Sequence, residues 1–186
     1  MLSTLIVIGV IIGAIFFWTT YTQRRLVVLD ENINSAMSQI GVQLSCRFNT
    51  LTALLDLTKG YAGQESEMLI ETIYSGRSDI TAKSTLGDVL RQEGIIGEVL
   101  GRITKVSEQY PELKANEKYV KIMDAAETYE HMLRTSRLIY NDSVNKLNRE
   151  IRMIPVSLIA GMLGFSAKKY TEKQSVKVKL ESNIAL

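Results

Sequence analysis

The feature that most constrains this chain is an uncharged apolar segment near its N-terminus, Leu2–Thr22, with the sequence LSTLIVIGVIIGAIFFWTTYT. Its 21 residues can cross a hydrocarbon core of about 30 Å as a single helix. All 22 Lys and Arg and all 20 Asp and Glu residues lie from Arg24 onward. A buried core helix is disfavoured because every residue of Leu5–Trp18 is apolar or Gly. Residues 1–22 are therefore predicted to be a transmembrane anchor.

A cleaved signal peptide is the alternative to an anchor. It would need basic residues before the apolar run and small residues at a cleavage site after it. Met1–Thr4 carry no charge and the residues after the run are bulky, so we expect no cleavage. Trp18 and Tyr21 suit the membrane interface, and Arg24 and Arg25 follow directly. Because Lys and Arg beside a span favour the cytoplasmic side, we predict a single-pass protein of the cell membrane, with the N-terminus outside and the bulk of the chain cytoplasmic.

The apolar segment also carries a candidate contact between membrane helices. Gly9 and Gly13 form a GxxxG pair, a spacing at which two spanning helices can approach closely. The pattern is weak, since Gly is common in spanning helices, but it predicts self-association through this face.

The rest of the chain is predicted to be all-α. The transmembrane helix should continue into an antiparallel helical bundle of about four helices over residues 23–154. No Pro lies between Gln23 and Lys59, and apolar residues recur there about every 3.7 residues, typical of a nearly straight amphipathic helix. Gly60–Gly63 should end this helix. The recurring apolar positions are Ile33, Met37, Ile40, Leu44, Phe48, Leu51 and Leu55.

Two shorter helices should follow. Ser66 is predicted to be the N-cap of the second. Lys83–Gly87 reads as a loop, and the third helix should run over roughly Asp88–Gln109. Its glycines weaken it, and we expect irregular turns before Ile95 and close helix packing after it. These glycines are Gly94, Gly97 and Gly101.

The fourth helix should be as long as the first. Asn116 is a good N-cap, and Pro155 should stop the helix after Ile154. Helices 1 and 4 are thus long and the middle two about half as long, so the middle pair should cover only one end of the outer pair. The uncovered stripe nearest the membrane should then meet another chain or a membrane. This predicted oligomer or partner surface comprises Leu26, Leu29, Ile33, Leu147, Ile151, Ile154 and Phe165.

Two further segments complete the predicted organisation. Residues 155–165 form an apolar membrane-proximal segment, which contacts lipid or a neighbouring chain, or else folds back and covers the stripe itself. Residues 166–186 read as a basic flexible tail, whose lysines either meet an anionic leaflet or stay solvated. In Val176–Leu180, apolar residues and lysines alternate as in an edge strand, but the sequence shows no evident partner strand.

The sequence contains no pattern typical of catalysis. His131 is the only histidine, so HExxH and paired-histidine metal sites are impossible. There is no P-loop, no GxGxxG after a strand and no CxxC. Cys46 is the only cysteine; it fits a reducing cytoplasm and is interpreted as a small apolar helix residue. We predict no catalytic, cofactor-binding or metal-binding residues, and the net charge of +2 gives no case for nucleic-acid binding.

Several segments of the chain together form a recognisable set of motifs. They are Tyr21 with Leu26–Leu29, Ser38–Leu44, Arg47–Phe48, Lys59–Ala62, Glu108–Glu117, Tyr140–Asp142 with Asn148 and Ile151, Ile154–Pro155, and Leu158–Phe165. These motifs resemble the LemA family of bacterial membrane proteins over roughly residues 21–165. The chain departs from the family at Met37, where Trp is frequent, and at Thr52–Ala53, where Pro-Asn is frequent. The resemblance implies an N-terminal anchor, a cytoplasmic helical bundle, an accessory role in the envelope, and a TPM-domain membrane protein as a partner.

The predicted function is therefore that of a non-enzymatic, membrane-anchored scaffold or accessory protein of the cell envelope. It would self-associate, contact membrane lipid, and organise partners or the membrane. The alternative is a transmembrane signalling module that relays a change through the long first helix. It is weaker because only four residues would lie outside. A hydrolytic enzyme is the third possibility, with no motif in its favour.

Overall fold

The structure is a computed structural model that describes residues 2–61 and 63–171. All regular elements among those residues are helices, which confirms the all-α class and the long N-terminal helix. The number of helices in a bundle and their antiparallel arrangement remain predictions. The helices are α1 (Leu2–Thr58), α2 (Gly63–Gly76), α3 (Leu86–Gln109), α4 (Pro111–Lys114), α5 (Glu117–Glu150) and α6 (Ser157–Ala160).

Helix α1 is continuous over 57 residues. The apolar N-terminal segment and the first amphipathic helix are therefore one element, as predicted from the absence of a breaker. After Thr58 the chain turns, and the Tyr61 N–H donates to the Thr58 carbonyl at 2.9 Å. Helix α2 begins at Gly63, so the prediction that Ser66 caps it is wrong. Ser66 is the fourth residue of the helix and not the residue before it.

Helix α3 is regular from its first residue, in contrast to the predicted irregular turns before Ile95. A capping box fixes its start. The Thr85 hydroxyl accepts from the Asp88 N–H at 3.3 Å, and the Asp88 carboxylate accepts from the Thr85 N–H at 2.9 Å. Two of the N–H groups that a helix start leaves unpaired are thereby satisfied. The predicted close packing of the later glycines is also wrong, since no atom lies within 4 Å of a Cβ placed on Gly97 or Gly101.

The chain divides into two compact units. The central unit, residues 34–139, has its core along α1, where six large apolar side chains are almost fully buried. Ile73 of α2 and Ile96 and Ile103 of α3 are buried in the same unit. Ion pairs in this unit include Arg137–Glu93 and Arg47–Glu130, the latter at 3.4 Å. The buried α1 side chains are Ile40, Leu44, Phe48, Leu51, Leu54 and Leu55.

A close backbone approach fixes part of the central unit. A Cβ placed on Gly41 of α1 would collide with the Ile80 carbonyl. Glycine lets the segment after α2 lie directly against the helix there. In α1, therefore, the residue that permits close packing is Gly41.

The terminal unit contains residues 1–33 and 140–186, of which 2–33 and 140–171 are described. Helix α5 ends at Glu150, four residues before the predicted Ile154. Pro155 lacks the N–H that the Ile151 carbonyl would accept, and residues 151–156 form turns instead. The predicted flexible tail is wrong for residues 166–171, because Thr171 is buried and Lys168 is hydrogen-bonded. Val176–Leu180 lies outside the described residues.

Candidate membrane-contact site

The N-terminal part of α1 is exposed along its whole length in the part of the chain that the structure describes. Every side chain from Leu2 to Phe17 is exposed, and this is the one helix among the described residues that is long and apolar enough to cross a membrane. Just after Phe17, the Thr19 and Thr20 hydroxyls donate to the carbonyls of Ile15 and Phe16, at 2.6 and 2.9 Å, so these two hydroxyls need no water. A segment that is apolar on all sides is suited to lipid.

The face that carries the GxxxG pair is open. No atom lies within 4 Å of a Cβ placed on Gly9 or Gly13. The structure thus leaves both glycines available to a second helix, and helix contact there stays a prediction.

A groove of about 450 Å³ lies where the apolar segment ends. One side is formed by Trp18, Tyr21, Thr22 and Arg25 of α1. The other side comes from the end of α5 and the turn that follows it, residues 149–150 and 153–156. Three of the four predicted interface residues therefore line one groove. The fourth, Arg24, is exposed and lies outside it.

The polar groups of the groove carry one net positive charge. Arg25 pairs with Glu150 at 3.0 Å, and the Glu150 carboxylate is mostly shielded from solvent. Arg149 is exposed and makes no ion pair within residues 2–61 and 63–171. A free guanidinium beside two aromatic rings at the end of an apolar helix is chemically suited to the headgroup region of a bilayer.

The turn after α5 has two apolar faces. Val156 and Ala160 are buried. On the other face, Ile154, Leu158 and Met162 follow one another at intervals of four residues, with 83%, 71% and 86% of their surface exposed. Phe17, the most exposed large side chain of the apolar N-terminal segment, reaches 76%. This exposed row is the largest departure from ordinary burial outside the candidate span.

The predicted oligomer surface is largely internal. Leu26, Ile33 and Leu147 are buried by residues of their own chain, so the prediction that they form an uncovered stripe is wrong. The alternative left open from the sequence, that residues 155–165 fold back and cover these side chains, stays a prediction. Leu29, Ile151 and Phe165 are partly buried, and only Ile154 of the predicted set is strongly exposed.

The returning segment is held by asparagines of α5, which sequence reasoning missed. We call residues 168–171 the strap. The Asn148 side-chain amide donates to the Lys168 carbonyl and accepts from the Lys168 N–H, both at 2.9 Å. The side-chain amide oxygen of Asn141 (Oδ1) accepts from the Thr171 N–H at 2.8 Å. The Tyr140 hydroxyl donates to the Lys169 carbonyl at 3.3 Å, and the Lys168 ammonium pairs with Asp30 at 2.9 Å.

The sequence contains an indication of the hydrogen bonds that α5 makes to the strap. Asn141, Asn145 and Asn148 are spaced i, i+4 and i+7, so they share one helix face. Asn148 also lies next to the buried Leu147. A buried amide requires hydrogen-bond partners, so this spacing indicates that another part of the chain supplies polar groups to this face of α5.

No catalytic arrangement is found in the described residues. No three His, Cys, Asp or Glu side chains among them lie close enough to hold a metal ion. His131 is exposed and lies 3.8 Å from Glu127, and Cys46 is partly buried. A polar cleft of about 390 Å³ in the central unit includes Arg77, whose guanidinium donates to Asn49 and Ser45 at 2.9 Å. These groups are held by one another, and the lining also includes the carboxylate of Asp79.

Comparison with known proteins supplies the remaining findings. A family model described as the LemA family matches residues 36–184. Magnetosome protein MamQ 1 and Magnetosome protein MamQ 2 of Paramagnetospirillum magneticum are each 24% identical to this chain over 191 residues, covering 88% of the chain and 70% of each relative. Magnetosome protein MamQ of Magnetospirillum gryphiswaldense is 22% identical over 187 residues, covering 86% of the chain and 69% of the relative.

Proposed function

Because this chain belongs to the LemA family, we propose that it is a non-enzymatic, membrane-anchored accessory protein of the cell envelope. In this proposal it self-associates and organises partners or the membrane. The observation that carries the proposal is the exposed apolar segment Leu2–Phe17, which continues without a break into a folded helical protein. An apolar helix of this length in water would cost far more free energy than the same helix in lipid.

Self-association is supported by the open face at Gly9 and Gly13. Two spanning helices gain little from the hydrophobic effect inside lipid, so close backbone approach and packing drive their association. The buried Leu26, Ile33 and Leu147 do not support self-association.

The mass of the protein extracted in mild detergent tests self-association. We expect the wild type to be at least dimeric, and the double variant Gly9→Ile/Gly13→Ile to be monomeric because the bulk prevents close approach. Ala14→Ile is the matched control, since residue 14 points about 100° away from Gly13 around the helix. A monomeric wild type, free of any co-purifying protein, would contradict the scaffold.

An accessory role in the cell envelope also implies protein or membrane partners. Three relatives are named as magnetosome proteins, and we extend from that a role in organising a membrane. The resemblance further proposes a TPM-domain membrane protein as partner. Affinity purification of the tagged full chain, after crosslinking in native membranes, should recover such a protein. Recovery of the chain alone, under conditions that preserve the oligomer, would argue against this partner.

A further inference from the structure

We propose that the turn after α5, residues 153–163, enters the lipid leaflet as a second membrane contact. The inference rests on the proposed anchoring through residues 2–22 and adds to it an attachment point far away in sequence. The exposed row Ile154, Leu158 and Met162 supplies the inserting side chains.

The first support is the exposure pattern. A soluble domain rarely leaves adjacent large apolar side chains fully in water without a ligand, a partner or a membrane to cover them. Ile154 and Met162 are more exposed than any large apolar side chain of the candidate span. Because Val156 and Ala160 already pack inward, the row is not needed for the fold of the terminal unit. It is a second apolar face on one short segment.

The second support is continuity with the span. Met153–Val156 line the same groove as Trp18, Tyr21 and Thr22. Trp and Tyr lie at the level where tails meet headgroups, which places the start of the turn at that level too. A partner protein would have to reach the row at the bilayer surface, whereas lipid is already there.

The third support is the distribution of charge. The 15 residues from Met153 to Ala167 carry no charge, with Arg149 and Arg152 before them and Lys168 and Lys169 after them. A stretch of this length that contains a proline and turns is too short to cross the bilayer. Apolar side chains flanked by cations are typical of segments that lie within the interface, and such cations favour anionic headgroups. The occupant is therefore the anionic leaflet surface on the Arg24 side of the span.

Two membrane contacts would fix the orientation of the terminal unit on the bilayer, which one spanning helix cannot do. A single helix leaves the protein free to rotate about its axis and to tilt. A second contact beside Trp18 would fix how the terminal unit faces the bilayer. The strap would then hold the turn to α5 through Asn148 and Asn141.

The test uses the full chain in nanodiscs of phosphatidylethanolamine and phosphatidylglycerol. Single cysteines replace Leu158 or Met162 in a Cys46→Ala background and carry a nitroxide label. Electron paramagnetic resonance then compares collisions with oxygen, which concentrates in lipid, and with a water-soluble nickel chelate. Ile8→Cys and Asn32→Cys are references on α1, within the candidate span and about 16 Å beyond Tyr21 at 1.5 Å per residue.

We expect labels at 158 and 162 to collide with oxygen several-fold more than with the nickel chelate, as the label at position 8 does. Labels that behave like the one at position 32 would overturn the inference. Labels shielded from both reagents would overturn it in favour of a covering protein chain. If the label at position 8 itself is exposed to water, the proposed anchoring fails. If it lies in lipid and labels 158 and 162 do not, only the second contact fails.

Discussion

At the residue scale, buried polar side chains of α5 hold the strap within the terminal unit. Asn148 is buried, and it pairs with both backbone groups of Lys168 in the manner of a neighbouring strand. Asn145 lies one turn away but is exposed, and it accepts only a 3.5 Å contact from the Tyr170 hydroxyl. Sequence periodicity places both residues on one face and does not distinguish them.

Asn148→Ala should destabilise the protein by about 1–3 kcal/mol, because the Lys168 N–H and carbonyl lose their partners in a shielded place. Asn145→Ala should change stability by less than about 0.5 kcal/mol. Denaturant unfolding of the detergent-solubilised protein, followed by circular dichroism, measures both. Equal changes in stability in the two variants would mean that the hydrogen bonds of Asn148 to the strap make no specific contribution to stability.

Two helical glycines should respond in opposite ways to alanine. Gly41→Ala drives a methyl group into the Ile80 carbonyl, so we expect a loss of about 1–3 kcal/mol from overpacking. Gly97→Ala meets no atom within 4 Å and should gain about 0.5–1 kcal/mol, since Gly loses more backbone entropy than Ala in a helix. Thermal unfolding of the two variants gives the signs, and a stable Gly41→Ala protein would refute the close approach.

At the scale of elements, local chemistry fixes where helices begin, and packing fixes how far they extend. Thr85 and Asp88 were both visible in the sequence, yet the start of α3 was predicted to be irregular because of the glycine penalty. The reciprocal capping bonds outweigh it. At the other end of the chain, Pro155 was predicted to stop the last long helix at Ile154, and the helix ends four residues earlier.

Thr85→Ala should cost about 1 kcal/mol and fray the first turn of α3, since it removes the capping oxygen. Hydrogen exchange at the Asp88 and Val89 amides should rise in this variant. Thr104→Ala is the control: that hydroxyl only donates to the Leu100 carbonyl on an exposed helix face, so little should change. Unaltered exchange at Asp88 in Thr85→Ala would count against the capping box.

The same cap should depend on pH. Hydrogen bonds from the Thr85 backbone and hydroxyl lower the pKa of the Asp88 carboxyl below its ordinary value. A lowered pKa in the folded state means that the cap stabilises the protein above the ordinary aspartate pKa of about 4, and that this contribution fades as the pH falls. Asp88→Asn should therefore flatten the change in exchange at this helix start between pH 6 and pH 3. If amide exchange changes equally steeply with pH in Asp88→Asn, the pH dependence comes from other carboxylates.

At the scale of the whole molecule, the chain combines an apolar helix with two compact units of α-helices. Membership of the LemA family agrees with the motifs quoted from the sequence. The structure adds a reason for one of them: Tyr140, Asn141 and Asn148 are the residues that hold the strap. Orientation in the membrane still rests on Arg24 and Arg25.

A reporter fused after Leu186 tests the orientation. We expect green fluorescent protein to be fluorescent there and alkaline phosphatase to be inactive, because Lys and Arg beside a span favour the cytoplasmic side and Arg24 and Arg25 follow this span directly. Inserting three lysines after Met1 should lower the fluorescence by reversing part of the population. Active phosphatase on the unmodified chain would show the opposite topology.

The sequence by itself determined the candidate span, the all-α class and the continuity of α1, because these follow from local composition and from the period at which apolar residues recur. Only the tertiary structure decided which apolar residues are covered. Leu26 and Ile154 look alike as residues of an apolar stripe, yet Leu26 is buried and Ile154 is exposed. Burial depends on the path of the chain, and after Glu150 the chain returns to α5 through hydrogen bonds between residues 20 positions apart. The asparagine spacing marks a face of α5 that needs partners, but no local pattern identifies residues 168–171 as those partners, since that depends on where the intervening turn directs the chain.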